Sequence, residues 1–145
     1  TELRADAILD GHGGRVVAWS NGATYFAGHI SARGGAVSGD GGFVETSSAG
    51  WLGLVGTVDT SAPQGQQGLL LLDPEHIEVV SGGSLAITDV DAFLDAGSDP
   101  SVSQIDPATL DAVGGTVTLE ARDAGLPRIS LAHVGGVRLM SRVNE

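Results

Sequence analysis

The side chains of this sequence that could do chemistry are few and scattered. Asp40, Asp59 and Asp73 could supply paired carboxylates for general acid–base work. Aspartate next to Gly or Pro, as at Asp40 and Asp73, more commonly bonds nearby backbone in a turn, and the chain has no lysine to act as a base. Ser38-Gly39-Asp40-Gly41-Gly42 has the Gly-Asp composition of a calcium-binding turn. Such turns need tandem repeats to gather about six or more oxygen ligands, and no tandem follows. The acidic stretch 89–111 could hold a cation or simply form a solvated face. His12, His29, His76 and His133 are dispersed, without the close spacing of a metal site. Trp19, Tyr25, Phe26 and Trp51 could form a sugar-stacking platform if neighbouring turns set them on one face; packing on strand faces is the plainer role. There is no Gly-x-Ser-x-Gly elbow, phosphate-binding loop or dinucleotide fingerprint. These observations assign no catalytic, cofactor-binding or metal-ligating residue, so the expectation is a protein that is not an enzyme.

What would position these residues is a repeat. Gly13-Gly14 recurs as Gly41-Gly42, an offset of 28 residues that also relates Val16 to Val44, Ser20 to Ser48, Gly22 to Gly50 and Gly28 to Gly56. It pairs Phe26 with Leu54 and Ile30 with Val58 as well. Between the glycines lie runs of three to five residues with the alternation of half-buried strands, among them Arg15–Trp19, Phe43–Thr46, Ile77–Val80 and Thr116–Glu120. One unit of this length cannot bury its apolar face alone. Stacking the next unit on it does so, with backbone hydrogen bonds running between turns. The expected fold is therefore all-β, a right-handed parallel β-helix in which Val16 lies over Val44, Phe26 over Leu54 and Ile30 over Val58. Short strands also suit an antiparallel sandwich, but a sandwich gives no reason for glycine pairs at one fixed spacing.

Composition sets the outer limits. In 145 residues, apolar types make up 41% and aromatics 4%, so the core must be Val, Leu, Ile and Ala. The formal charge is −11, which argues against nucleic acid or anionic lipid as a partner. Nine acids and no basic residue lie between Asp73 and Asp111, and all seven basic residues are arginine. Cysteine is absent, which removes disulfides and thiolate metal sites. No apolar run is long enough to span a membrane. No signal peptide opens the chain, so for a secreted protein the signal is expected upstream.

The chain is expected to be a single β-helix segment over 1–145. Repeat turns occupy 1–88, an acidic excursion with one or two short helices occupies 89–113, and final strands with a cap occupy 114–145. Helix punctuation in the excursion is specific: Asp106 as N-cap, Pro107 at the first helical position and Gly114 beyond the end. Asp89 or Asp91 could start a second short helix through Ala92–Leu94.

At Gly11-His12-Gly13-Gly14-Arg15-Val16-Val17-Ala18-Trp19-Ser20 the sequence resembles large exoproteins of the filamentous-haemagglutinin, two-partner-secretion type. The similarity continues through Gly28–Gly35, Gly39–Ser47, Val58–Pro63 and Gly68–Pro74, and returns more faintly at Gly114–Ala121. From Ala124 onward the chain departs from the pattern. The resemblance implies a β-helix shaft at the bacterial surface, exported through an outer-membrane secretion pore. It also implies an adhesive role toward a cell-surface glycan or protein receptor. The Asn-Pro motifs of that family's secretion domain are absent, which places this segment downstream of it, in the shaft. Two alternatives stand beside this reading: a carbohydrate-binding or carbohydrate-active β-helix module, and a filament subunit that self-associates end to end.

Overall fold

Arg15–Ser20 alternates exposed and half-buried side chains, and its partner Phe43–Ser48 seals every inward position. That alternation makes each segment a strand with one face toward a core. The computed structural model of the protein describes residues 1–84, 87 and 102–121, with the backbone of 130–131 and 137–139. Among the described residues the strands are β1 (Glu2–Arg4), β2 (Arg15–Ser20), β3 (Ala23–Phe26), β4 (His29–Ser31), β5 (Phe43–Ser48), β6 (Trp51–Leu54), β7 (Thr57–Asp59), β8 (Leu69–Asp73), β9 (Ile77–Val79), β10 (Ser103–Ile105), β11 (Thr116–Leu119), β12 (Ser130–Leu131) and β13 (Val137–Leu139). One helix, α1 (Pro107–Asp111), separates β10 from β11. The second helix expected near Asp89 or Asp91 lies outside the described residues.

Every strand pairing among the described residues is parallel, and the strands stack into about three turns of a β-solenoid. One face is the five-stranded sheet β13-β11-β8-β5-β2, and a second is β1-β4-β7. The expected neighbours are in register: Val16 with Val44, Phe26 with Leu54 and Ile30 with Val58. Inward residues form columns through the stack. Val44, Leu70 and Val117 continue from Val16, Leu72 and Leu119 from Thr46, and Ile30 and Val58 from Leu3. Each sealed aliphatic side chain stabilises the stack by roughly 1.5–3 kcal/mol. The spacing is not uniform. Between the second and third turns Phe43 pairs with Leu69, a step of 26 residues.

The glycine pairs are required by space rather than by dihedral angle. Gly13, Gly14, Gly41 and Gly42 all lack a positive φ, whereas Gly11 and Gly39, one turn apart, have φ of 124° and 116°. A Cβ on Gly41 would run into the Thr60 carbonyl oxygen and the Gly68 nitrogen, and one on Gly42 into the Gly14 carbonyl oxygen. The backbones of successive turns touch at this corner, which excludes any side chain.

Polar side chains one turn apart bridge the other corners. His29 Nδ1 lies 2.8 Å from Thr57 Oγ1, Ser38 donates to Asp10 at 3.0 Å, and the Asp40 amide donates to His12 Nδ1 at 2.9 Å. Ser48 Oγ donates to the Gly22 carbonyl at 2.7 Å.

The third face departs from chain order. Its first two strands, β3 and β6, pair in sequence. The strand lying against β6 is then β10, not β9: the Leu52 amide donates to Ser103 Oγ at 2.8 Å. On its other side β10 pairs with β9, which in turn pairs with β12. This face therefore holds two hydrogen-bonded sheets, β3-β6 and β10-β9-β12, with the later strand β10 lying between the earlier strands β6 and β9. Ser103, Ile105, Ile77 and Val79 are all sealed in the core. The stretch expected as an excursion thus contributes both a short helix and a strand of the stack. Helix α1 begins as its punctuation requires: Asp106 accepts from the Ala108 amide at 2.8 Å, and Pro107 sits in the first turn.

Candidate functional site

The three aspartates singled out as an acid–base set sit at three separate places: the corner before β5, strand β7 and the end of β8. Asp40 lies at an exposed corner, where its carboxylate accepts from the Gln66 amide at 2.8 Å and faces His12 at 3.5 Å. Asp59, on β7, accepts from the Ser61 amide at 2.9 Å and pairs with Arg33 at 3.4 Å. Asp73 ends β8 and is buried. Asp40 and Asp59 therefore hold local structure, as turn and strand-end aspartates do. His12 and His29 serve as inter-turn links, His76 precedes β9, and His133 lies outside the described residues. Among the described residues no group of three or more His, Asp or Glu is placed to hold a metal ion.

The aromatics do not form one platform. Phe26 points into the core. Tyr25 and Trp51 stack with ring centroids 6.4 Å apart and planes 15° from parallel. Gly53, between them on the sheet, leaves the room their rings need, since a Cβ there would meet Tyr25 at 2.8 Å. Trp51 is buried, and Tyr25 uses its hydroxyl to accept the Ile87 amide at 3.0 Å. Trp19 alone of the four stays open, 44% exposed.

Among the described residues, the exposed large apolar side chains gather on the first turn and the corner above it. Ile8 is 85% exposed, Leu9 61% and Val37 63%, and Val17 lies beside Trp19 on β2. Beneath Ile8 is a cavity of about 260 Å³ lined by Asp6, Ala7, Arg33, Ala36 and Pro63. Its charged floor is fixed. Asp6 Oδ1 accepts from Ser31 Oγ at 2.5 Å and from the Arg33 amide at 2.7 Å. Desolvation works against the Asp6 charge, but the two hydrogen bonds and the nearby Arg4 and Arg33 charges outweigh it, and its carboxyl is held below the ordinary value. Asp6 was not apparent as a candidate from sequence. The only signal was its place opposite Arg33, two residues beyond the Arg4–Ser31 register.

A wider groove of about 620 Å³ runs between α1 and the corner at 55–57, with Thr57, Ser84, Asp106 and Thr109 on its walls. Thr57 Oγ1 is engaged by His29, and the other three polar groups hold α1. Ser84 Oγ receives the Asp106 amide and the Thr109 hydroxyl, each at 2.9 Å, while Asp106 accepts from Ala108 and Gly82. On the outer side of the five-stranded sheet, the Arg15 guanidinium lies 4.6 Å from the centre of the Phe43 ring and 3.7 Å from Glu45. These arrangements offer apolar contact and fixed charge. Comparison with protein families, with curated proteins and with solved structures finds no match for this chain.

Proposed function

We propose that this chain is a shaft segment of a secreted bacterial surface exoprotein of the filamentous-haemagglutinin type, which extends or presents a region that binds a glycan or protein receptor. The observation that carries the reading is the one-dimensional stack. Strands of all turns pair in parallel through β2, β5, β8, β11 and β13, and the core columns run along the same axis. Such a unit transmits length and stiffness, because each turn contacts only its neighbours and adds one strand spacing, about 4.8 Å, to the axis. The resemblance over residues 11–80 supplies the cellular setting, in which the chain passes an outer-membrane pore and ends at the cell surface. The apolar cluster at Ile8, Leu9 and Val37 then serves as a contact surface on the flank of the shaft.

The test is export and display. Fused behind a secretion domain of that family and co-produced with its pore, the chain should become accessible to protease on intact cells. Cells displaying it should bind a glycan array or host-cell layer more strongly than cells displaying the secretion domain alone. Export of the secretion domain alone, with the fusion retained inside, would sink the proposal; display without added binding would leave a shaft and remove the adhesive role.

A further inference from the structure

Asn21 and Gly22 form the bend between β2 and β3, and both are exposed. An asparagine followed by glycine is the dipeptide in which the next backbone nitrogen most easily reaches the side-chain carbonyl, because no Cβ crowds the approach. Here the local structure leaves that route open. The Gly22 amide donates to no acceptor among the described residues. The space beside Gly22 is empty too, with nothing within 4 Å of where a Cβ would stand. The corner one turn up shows the contrast. It carries Ala49-Gly50, its glycine amide is engaged by Ser48 Oγ at 3.2 Å, and a Cβ there would meet the Gly22 carbonyl.

We propose that Asn21 is a site of spontaneous covalent modification. The Gly22 amide nitrogen gives its proton to solvent base and bonds to Asn21 Cγ. The Cγ–Nδ2 bond breaks and ammonia leaves, closing a five-membered succinimide. Water then opens the ring. Attack at Cγ gives aspartate, and attack at the main-chain carbonyl gives isoaspartate; no reagent beyond water is needed. Either product adds a negative charge to a chain already at −11. Isoaspartate also lengthens the backbone by one carbon at a corner whose Gly22 carbonyl accepts the Trp51 amide at 3.1 Å and the Ser48 hydroxyl at 2.7 Å. The reaction therefore marks elapsed time at one place and weakens the grip of the first turn on the second.

Trypsin cuts after Arg15 and Arg33, releasing residues 16–33 with Asn21 as their one asparagine. The intact folded chain is incubated at mildly alkaline pH and digested at intervals, beside a synthetic peptide of the same residues. The fragment should gain about 1 Da as its amide becomes an acid, split into two chromatographic species and accept a methyl group from an isoaspartate methyltransferase. Its rate should lie within about tenfold of the free peptide; stronger protection, meaning that the corner must first open, overturns the proposal. Asn21→Ala, which copies Ala49 of the next turn, should abolish the mass gain in this fragment. A mass gain that persists in Asn21→Ala also overturns it.

Discussion

Replacing Thr46 by valine should make this protein more stable, although it removes a hydroxyl from a β-strand. Thr46 is fully buried in the column between Ala18 and Leu72, and its Oγ1 has no hydrogen-bond partner among the described residues. A buried hydroxyl left unpartnered costs about 1–3 kcal/mol relative to its solvated state. Valine keeps the β-branch, and with it the side-chain rotamer restriction and the preference for a pleated surface. The expected gain for Thr46→Val is therefore about 1–3 kcal/mol. For a chain of this size that corresponds to a rise of roughly 2–12 °C in the melting midpoint. Thr60 is the matched comparison. It is equally buried, but its Oγ1 donates to the Gly114 carbonyl at 3.3 Å. Thr60→Val should lose about 0.5–1.5 kcal/mol. Urea unfolding followed by circular dichroism reads both variants, with an unchanged slope showing that only stability has moved. A Thr46→Val protein less stable than its parent, or two variants shifting in the same direction, would refute the reasoning.

Three further outcomes follow from the same geometry. Gly41→Ala should cost at least about 3 kcal/mol, since the new methyl meets backbone of two neighbouring segments, whereas Gly22→Ala should stay within about 1 kcal/mol of the parent; denaturant midpoints separate them. Ser103→Ala should cost about 1–3 kcal/mol by stranding the Leu52 amide inside the third face, and faster exchange of that amide with deuterium would locate the damage. Because the folded Asp6 carboxyl is held below its ordinary value, its ionisation stabilises the fold above the ordinary carboxylate range, and this contribution is lost as pH falls through the folded value. Asp6→Asn should therefore narrow its stability difference from the parent as pH falls through that window, in urea titrations run side by side, and a difference independent of pH would remove the role given to Asp6.

Much of the first two turns was legible because one cause produced several coincident signals. Stacking turns at a fixed height demands glycine at the touching corner, apolar residues at the inward positions and small polar residues at the bridged corners. Gly13 with Gly41, Val16 with Val44 and Ser20 with Ser48 report that single constraint. The N-cap of α1 was legible for a local reason, since Asp106 and Pro107 act within one helical turn. The third turn was harder to read. Its step shortens to 26 residues, and Gly68 stands alone opposite Gly42 where earlier turns carry a pair. The placement of β10 left no trace in periodicity, because its partners β6 and β9 are chosen by a connection whose path no local pattern encodes. The aromatics misled for a related reason. Spacing put Tyr25 and Trp51 on adjacent turns, but the absent side chain of Gly53 lets the rings fold onto each other instead of facing solvent.

The position of β10 also constrains the order in which the molecule can assemble. A stack whose strands follow chain order can close turn upon turn as the polypeptide becomes available, each step needing only what has come before. Here that progression halts after β8. The slot above β6 is filled by a segment about 50 residues later in sequence, with Leu52 and Ser103 separated by 51 positions. Until that segment arrives, β9 has no strand beneath it. Closing so long a loop is an entropic barrier that local pairing cannot relieve. The first two turns can therefore form as an early nucleus, and the upper part of the stack locks in one late event that needs everything through Ile105. A chain emerging from its N-terminal end would stay unfinished for that interval, and then complete several levels at once.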